Sequence, residues 1–146
     1  MTLVNDLISV ENFVKAKFPT AVTEKQTPPK KPVANTFVIR FQNDSRESET
    51  RFHYRTDREY QIVYFGADAS DVLTKMDALS KALYQIQLIP INGSLRYIRI
   101  ESFSFSQPFE TDNKLFACIG VLSTQVREAR DQQVYEKIMH VYTRYI

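Results

Sequence analysis

Hydrophobic and polar residues alternate almost without interruption along residues 50–65. The odd-numbered positions are polar or charged as far as Gln61 and turn apolar only at Val63 and Phe65. The even-numbered positions form an apolar, mostly aromatic row, namely Phe52, Tyr54, Thr56, Arg58, Tyr60, Ile62 and Tyr64. Because successive side chains of a strand point to opposite faces, this pattern predicts one long ribbon with an apolar face and a charged face.

A straight ribbon of this length would overhang its own domain. At about 3.3 Å per residue, residues 50–65 reach roughly 50 Å, whereas a compact chain of 146 residues has a diameter of roughly 40 Å. The ribbon therefore either breaks at residues 56–58 or has its aromatic end covered by another subunit. We favour the overhang, and with it an assembly protein over a solitary enzyme.

A shorter alternating stretch precedes the ribbon, so residues 36–65 predict a protruding hairpin. Phe37, Ile39 and Phe41 mark its first strand. The polar stretch 43–49 has no apolar residue that would anchor it, and we expect a mobile loop at the tip.

Two segments show the spacing of amphipathic helices. Residues 3–17 carry one apolar stripe after a capping Thr2, and residues 70–87 carry another after candidate caps at Asp68 and Ser70. The stripe residues are Leu3, Leu7, Val10 and Val14 in the first helix and Val72, Met76, Leu79, Leu83 and Ile86 in the second. Helix 70–87 should lie across the apolar face of the hairpin.

Three further segments complete the chain. Residues 20–35, rich in proline and lysine, predict an extended connection, either a docking segment or, as we favour, a solvated tether. Residues 95–126 predict a second hairpin, whose last strand is apolar on both faces as in a sheet interior. Its first strand has isoleucines on one side and aromatic residues on the other: Ile98 and Ile100 against Tyr97, Phe103 and Phe105. Residues 132–145 carry two apolar stripes and predict a C-terminal helix against a neighbouring subunit, or a mixture of strand and turn.

The predicted fold is a single α+β domain over residues 1–146. An antiparallel sheet of about four long strands, arranged as two hairpins, packs against helices in the order α-β-β-α-β-β-α.

Composition narrows the class of protein. The formal net charge is only +2, which gives little support to binding of nucleic acid or membrane surfaces. The single cysteine, Cys118, excludes an intramolecular disulfide and fits a reducing cytoplasm. Residues 1–6 lack the basic region of a signal peptide, and no apolar run reaches the ~20 residues of a transmembrane helix. We expect a soluble protein made in the cytoplasm and used without secretion.

Residues that could carry chemistry are few. The two histidines, His53 and His140, lack the paired ligand spacing of a metal site. Cys118 lies in the most apolar strand and is expected to be a core residue, while Glu101 and Glu110 are expected to be surface acids. Glycine-rich phosphate loops and nucleophile motifs are absent. The sequence therefore predicts no catalytic, metal or cofactor site, and a protein that is not an enzyme.

Arginines form the main concentration of charge: Arg51, Arg55, Arg58, Arg96, Arg99, Arg127 and Arg130. An arginine-bearing sheet face would suit nucleic acid if stacking aromatic residues were exposed on it. Because Asp57, Glu59 and Glu101 interleave with the arginines, we favour salt bridges across strands or between subunits.

Several short motifs occur in an informative order along most of the chain. They are Phe18-Pro19, Glu24-Lys25-Gln26, Phe37-Val38-Ile39, Arg51-Phe52-His53-Tyr54-Arg55, Tyr60-Gln61-Ile62-Val63-Tyr64-Phe65, Leu95-Arg96 and Leu115-Phe116. This order resembles the tail terminator (tail completion) proteins of long-tailed bacteriophages and prophages. The proline–lysine connection at 28–32 departs from the tighter approach of that family.

The resemblance implies a structural virion protein of the tail or neck region that forms a ring, typically of six copies. The ring would cap the head-proximal end of the tail tube and offer a surface to the head connector, with nucleic acid at most passing through its lumen. Hairpin 36–65 and strands 95–126 would build the subunit contacts, and loops 43–50 and 107–113 would meet neighbouring rings. The candidate interface residues are Arg51, Arg55, Arg58, Tyr60, Phe103, Phe105, Phe109, Arg127 and Arg130.

Three other classes remain open. Another head–tail connector or neck protein would share size and composition and differ in its order of assembly. A small nucleic-acid-binding module would show a steep dependence of affinity on salt. An enzyme with a diffuse active site would need a concave pocket lined by perturbed acids.

Overall fold

A computed structural model describes residues 2–131, which form a mixed α+β fold with two helices against a curled sheet of seven strands. The elements follow the chain in this order: α1 (Leu3–Lys17), β1 (Val22–Lys25), β2 (Thr36–Ser48), β3 (His53–Gly66), α2 (Ala69–Ile86), β4 (Leu88–Pro90), β5 (Tyr97–Phe105), β6 (Phe109–Glu110) and β7 (Phe116–Ala129). The C-terminal helix predicted at 132–145 lies outside the described residues. Neither α1 nor α2 combines the length and the apolar character that a bilayer-spanning helix requires.

Strands β3 and β7 form the centre of the sheet. They pair antiparallel over their whole length, from His53 opposite Ala129 to Gly66 opposite Phe116. The strand order is β1-β2-β3-β7-β5-β4, and β6 pairs with β7 off this path. Only β1, which runs parallel to β2, departs from the antiparallel arrangement within the described sheet.

The strand count and order differ from the prediction of four strands in two hairpins. The two predicted hairpins exist as the pairs β2–β3 and β5–β7, but β3–β7 pairing joins them into one sheet. The additional strands β1, β4 and β6 contain four, three and two residues. Segments this short show no period along the chain, which is why 20–35 and 107–113 were predicted as connections.

The predicted loop at 43–50 is wrong, because β2 continues through it to Ser48. Its register against β3 shifts between Phe41 and Asn43, which places a bulge at Gln42. A bulge inserts one residue and interrupts the alternation of faces. Beyond it the strand is largely exposed and polar, so its sequence has the appearance of a loop.

The predicted faces of β5 are wrong because of a second bulge, between Ile100 and Ser102. Ile98 and Phe103 are both buried in the main core, with Ile100 and Phe105 packed against it. The inserted residue brings the aromatic positions to the same side as the isoleucines, whereas Tyr97 remains exposed.

Helix α1 has the predicted bounds and closes the curled sheet. The Thr2 hydroxyl accepts a hydrogen bond from the Asn5 N–H (3.1 Å), as an N-cap does. On one side the Asn92 N–H donates to Ser9 Oγ (2.8 Å), and on the other Lys25 Nζ lies 3.0 Å from Glu11 Oε1. Since Asn92 follows β4 and Lys25 ends β1, α1 bridges the two edges of the sheet.

Helix α2 lies over β3, β7 and β5. Asp68 caps its N-terminus. Four residues of its predicted stripe are fully buried, namely Val72, Met76, Leu79 and Leu83, whereas the fifth, Ile86, is 40% exposed. The helix therefore covers one strand of the predicted hairpin, β3, together with β7 and β5.

The predicted overhang of the ribbon is wrong for most of its length. Tyr60, Ile62 and Tyr64 have no exposed surface within the single subunit. Among the aromatic residues of the apolar row, Phe52 is 53% exposed and Tyr54 is partly buried. Exposed aromatic surface on this face is thus confined to the beginning of the ribbon.

Candidate assembly surface

The ends of β2, β3 and β7 lie side by side and carry a cluster of charges. We call these residues the hairpin-end surface: Glu47, Glu49, His53, Arg55, Asp57 and Arg127. Glu47 is in register with Arg55, and Arg55 with Arg127, so the three side chains share one face of the sheet. This face is opposite to the one that packs against α1 and α2.

Every arginine of the hairpin-end surface has an acidic partner. Arg55 Nη2 lies 2.7 Å from Glu47 Oε2, and Arg55 Nε lies 2.8 Å from Asp57 Oδ1. Arg127 Nε lies 2.8 Å from Glu49 Oε1. Like charges directly opposite on adjacent strands repel, so these acids offset the Arg55–Arg127 pair. A salt bridge across strands is therefore present between Arg55 and Glu47, but of the three acids named from the sequence only Asp57 takes part among the described residues, and it pairs within β3.

The opposite side of the same strand ends is also polar. Tyr54 donates its hydroxyl hydrogen to Glu128 Oε2 (2.6 Å), and this hydrogen bond raises the pKa of Tyr54. The Arg130 guanidinium lies 5.6 Å from the Tyr54 ring centroid and donates to Ser48 Oγ (2.7 Å). These contacts connect the end of β7 with both β2 and β3.

We expect Arg127→Ala to raise the pKa of Glu49 toward its ordinary value of 4.5. In the wild type the hydrogen bond from Arg127 holds this pKa below that value, with Arg55 acting in the same direction and Asp57 against it. A lowered carboxyl pKa stabilises the fold above the unfolded pKa, and this contribution is lost as pH falls through the folded pKa. Carbon-13 NMR titration of the Glu49 carboxyl measures the change.

The matched control for this titration is Arg46→Ala. Arg46 belongs to the same hairpin but pairs with Asp44 (3.6 Å) rather than with Glu49. An equal rise of the Glu49 pKa in both variants would contradict the specific role of Arg127.

The structure separates the nine predicted interface residues. Arg55 and Arg127 share one face at the strand ends, and Arg130 lies on the opposite face of the same ends. Arg51 is exposed in the adjoining turn, with its guanidinium 6.0 Å from the Phe52 ring. Four others lie inside the subunit: Arg58, Tyr60 and Phe103 are buried, and Phe105 is partly buried. Phe109 is 44% exposed on β6, opposite Ala117 at the other end of the sheet.

Arg58 belongs to a buried polar cluster that the sequence analysis missed. Its guanidinium forms an ion pair with Asp6 of α1, and the two side chains are 3% and 2% exposed. Asp44 Oδ2 lies 3.7 Å from Arg58 Nε. Burial raises the pKa of Asp6, and Arg58 acts in the opposite direction. The sequence positions of the two charges could have indicated that both are buried. Arg58 falls in the apolar row of the ribbon, and Asp6 falls beside Leu7 on the apolar stripe of its helix.

Metal-ligating side chains are not brought together in the described part of the chain. Residues 2–131 contain no group of three or more His, Cys, Asp and Glu side chains placed to hold a metal ion. His53 is exposed at the start of β3, and His140 lies outside the described residues. The buried Cys118 thiol donates to the Ser106 carbonyl (2.9 Å), and burial raises its pKa, which disfavours the thiolate.

Comparison with solved structures finds the same fold at low sequence identity. A chain whose title states no function matches with a TM-score of 0.52 and 15% identity, over 92% of this chain and 99% of that one. A chain from a structure titled as the virion of a native gene transfer agent particle matches with a TM-score of 0.47 and 12% identity, over 88% of this chain and 100% of that one. No protein-family model and no curated protein sequence matches the chain. At 15% identity the first of these matches shows a likeness of fold alone.

Proposed function

We propose that this chain is a structural virion protein, a tail terminator that forms a ring on the head-proximal end of a tail tube and joins it to the head connector. The order of motifs along the chain supports membership of that class. The observation in the structure that carries the proposal is the hairpin-end surface, where three strands present paired charges beside an exposed Phe52.

Two different exposed patches lie at opposite ends of the central strands. One is the hairpin-end surface with Phe52, near the pairing of His53 with Ala129. The other contains Phe109, near the pairing of Gly66 with Phe116. Contact between unlike patches on successive copies is heterologous, and such contacts generate closed rings when the rotation closes. This arrangement supports a ring over a two-fold dimer.

A structural role is also favoured over the rival classes. The arginines of the hairpin-end surface are held by acids of the same subunit, so they are poorly disposed to neutralise phosphates. We therefore propose a non-enzymatic protein without cofactors, whose partners are further copies of itself, the tail tube protein and the head connector proteins.

The expected result is a closed ring whose mass is six times the subunit mass of 17.0 kDa. Light scattering coupled to size-exclusion chromatography gives the mass, and negative-stain electron microscopy shows whether the particles are closed. Phe52→Ser and Phe109→Ser should each shift the protein toward monomers while leaving its circular dichroism spectrum unchanged. The control is Leu95→Ser, which removes a 97% exposed leucine lying outside both patches.

Headless tails from the producing phage provide the second arm of the experiment. A tail terminator binds the head-proximal end of these tails, whereas a head-completion or neck protein binds filled heads. A protein that stays monomeric both alone and in the presence of headless tails would overturn the proposal.

A further inference from the structure

Residues 26–35, which join β1 to β2, form a strap whose two ends are fixed to the sheet. At one end the Gln26 N–H donates to the Ile39 carbonyl (2.8 Å), and at the other the Asn35 N–H donates to the Phe65 carbonyl (2.8 Å). Both end residues have a left-handed backbone, with φ angles of 64° and 63°. Between them lie three prolines, whose rings fix φ. The strap therefore presents its side chains at a low cost in conformational entropy.

The strap carries positive charge that the described residues leave uncompensated. Residues 25–43 contain four basic side chains and no acid, in a chain whose formal net charge is only +2. Lys25 pairs with Glu11 on α1. Within residues 2–131 no acid lies at ion-pair distance from the other three, which are Lys30, Lys31 and Arg40. Both lysines are exposed to solvent.

Exposed valines and an open sheet edge accompany these charges. Val22 is 49% exposed and Val33 is 59% exposed. The Val22 N–H donates to the carbonyl of Asn35 (3.0 Å), two residues after Val33, so both valines lie at the same end of β1. Strand β1 is at the edge of the sheet, and one of its sides has no strand partner among residues 2–131. Such an edge accepts a further extended segment through main-chain hydrogen bonds.

We propose that the strap and the open edge of β1 bind an extended acidic segment of a partner protein, in which carboxylates alternate with apolar side chains. The main chain of the segment pairs with β1, its carboxylates meet Lys30 and Lys31, and its apolar side chains cover Val22 and Val33. Charge complementarity selects an acidic occupant. A single-stranded nucleic acid would in addition call for stacking aromatic side chains, and the strap contains none. The proposal does not depend on the tail terminator role.

Fluorescence anisotropy with the full chain tests the proposal. The probe is a labelled short peptide in which glutamate alternates with valine. We expect saturable binding that Lys30→Gln together with Lys31→Gln weakens by about tenfold. The matched control is Lys81→Gln with Lys114→Gln, which removes the same charge from exposed lysines of α2 and of the turn before β7 and should bind as the wild type does.

A second probe tests the pairing with β1. The same peptide carrying N-methyl groups on alternate amides cannot pair with a strand edge, so it should bind the wild type at least about tenfold more weakly. Equal affinity of the two peptides would overturn the proposal.

Three other results would also overturn it. The first is an unmodified peptide that does not bind at concentrations up to about 1 mM. The second is an equal loss of affinity in the two double variants. The third is binding of duplex DNA, or of vesicles containing anionic phospholipid, that requires Lys30 and Lys31 while the peptide does not bind. Ring mass is measured separately, so none of these results affects the proposed function, and a monomeric protein that binds the peptide would contradict the proposed function alone.

Discussion

Replacing Asp6 by alanine is expected to lower the free energy of unfolding by about 3–5 kcal/mol. The substitution leaves the Arg58 guanidinium buried at 3% exposure, with Asp44 at 3.7 Å as its remaining acidic neighbour in the described structure. Removing one partner of a buried ion pair is costly because the other charge stays desolvated without compensation. Urea denaturation at neutral pH, followed by circular dichroism, measures the change.

An exposed ion pair provides the control for Asp6→Ala. Asp77 and Lys81 lie one turn apart on α2 at 3.1 Å, with side chains 58% and 79% exposed. Asp77→Ala should cost less than about 1 kcal/mol, as solvent-exposed pairs do. Similar losses in the two variants would show that the Asp6–Arg58 pair is not buried in solution.

A double substitution separates the pair's role in stability from its role in specifying the position of α1. Replacing both charges, as in Asp6→Leu with Arg58→Met, removes the desolvation cost together with the attraction. Such replacements are often neutral or stabilising. The double variant should therefore recover most of the stability lost in Asp6→Ala, and a further loss would contradict this account.

Both described helices could be predicted because each has a complete local signal. In α1 the apolar residues recur at helical spacing between a capping Thr2 and the stop at Pro19, and in α2 between Asp68 and the turn before Pro90. Local capping and local periodicity do not depend on the rest of the chain. Accordingly, the observed bounds differ from the predicted ones by at most one residue.

The strands were harder to predict from the sequence, because the boundaries of a strand depend on the strands that pair with it. One extra residue at Gln42 and another between Ile100 and Ser102 reverse the alternation, and such bulges leave no distinct signal in a single sequence. Strand β1 forms because β2 offers it a parallel edge. Its own four residues carry no strand-like period.

The candidate site could be predicted only in part, because its residues are brought together by the pairing of strands. The polar face of the ribbon could be read from its alternation, and with it the outward direction of Arg55. Its partner Glu47 could not be assigned, because the predicted loop at 43–50 removed that residue from any strand. The ion pair between Asp6 and Arg58 joins residues 52 positions apart, and this contact depends on how α1 closes the sheet.

Gly120→Val is expected to lower the free energy of unfolding by about 1–3 kcal/mol. A Cβ atom at position 120 would lie 2.6 Å from Phe103 Cζ and 2.9 Å from Met76 Cε. The glycine thus makes room for the Phe103 ring between the centre of β7 and α2. Filling that space forces side chains off their preferred rotamers or moves the helix away from the sheet. Thermal or urea denaturation gives the magnitude.

Two comparisons assign this loss to packing rather than to the backbone of glycine. Gly93 has a φ of 76°, and a Cβ atom added there would meet no heavy atom within 4 Å, so Gly93→Asn should change stability by less than about 0.5 kcal/mol. Phe103→Leu removes the ring atoms that the new side chain meets. In the double variant with Gly120→Val the two losses should therefore sum to more than the observed loss, as coupled neighbours do. Strict additivity would place Phe103 elsewhere, and the account of how β5, β7 and α2 share one core would fail with it.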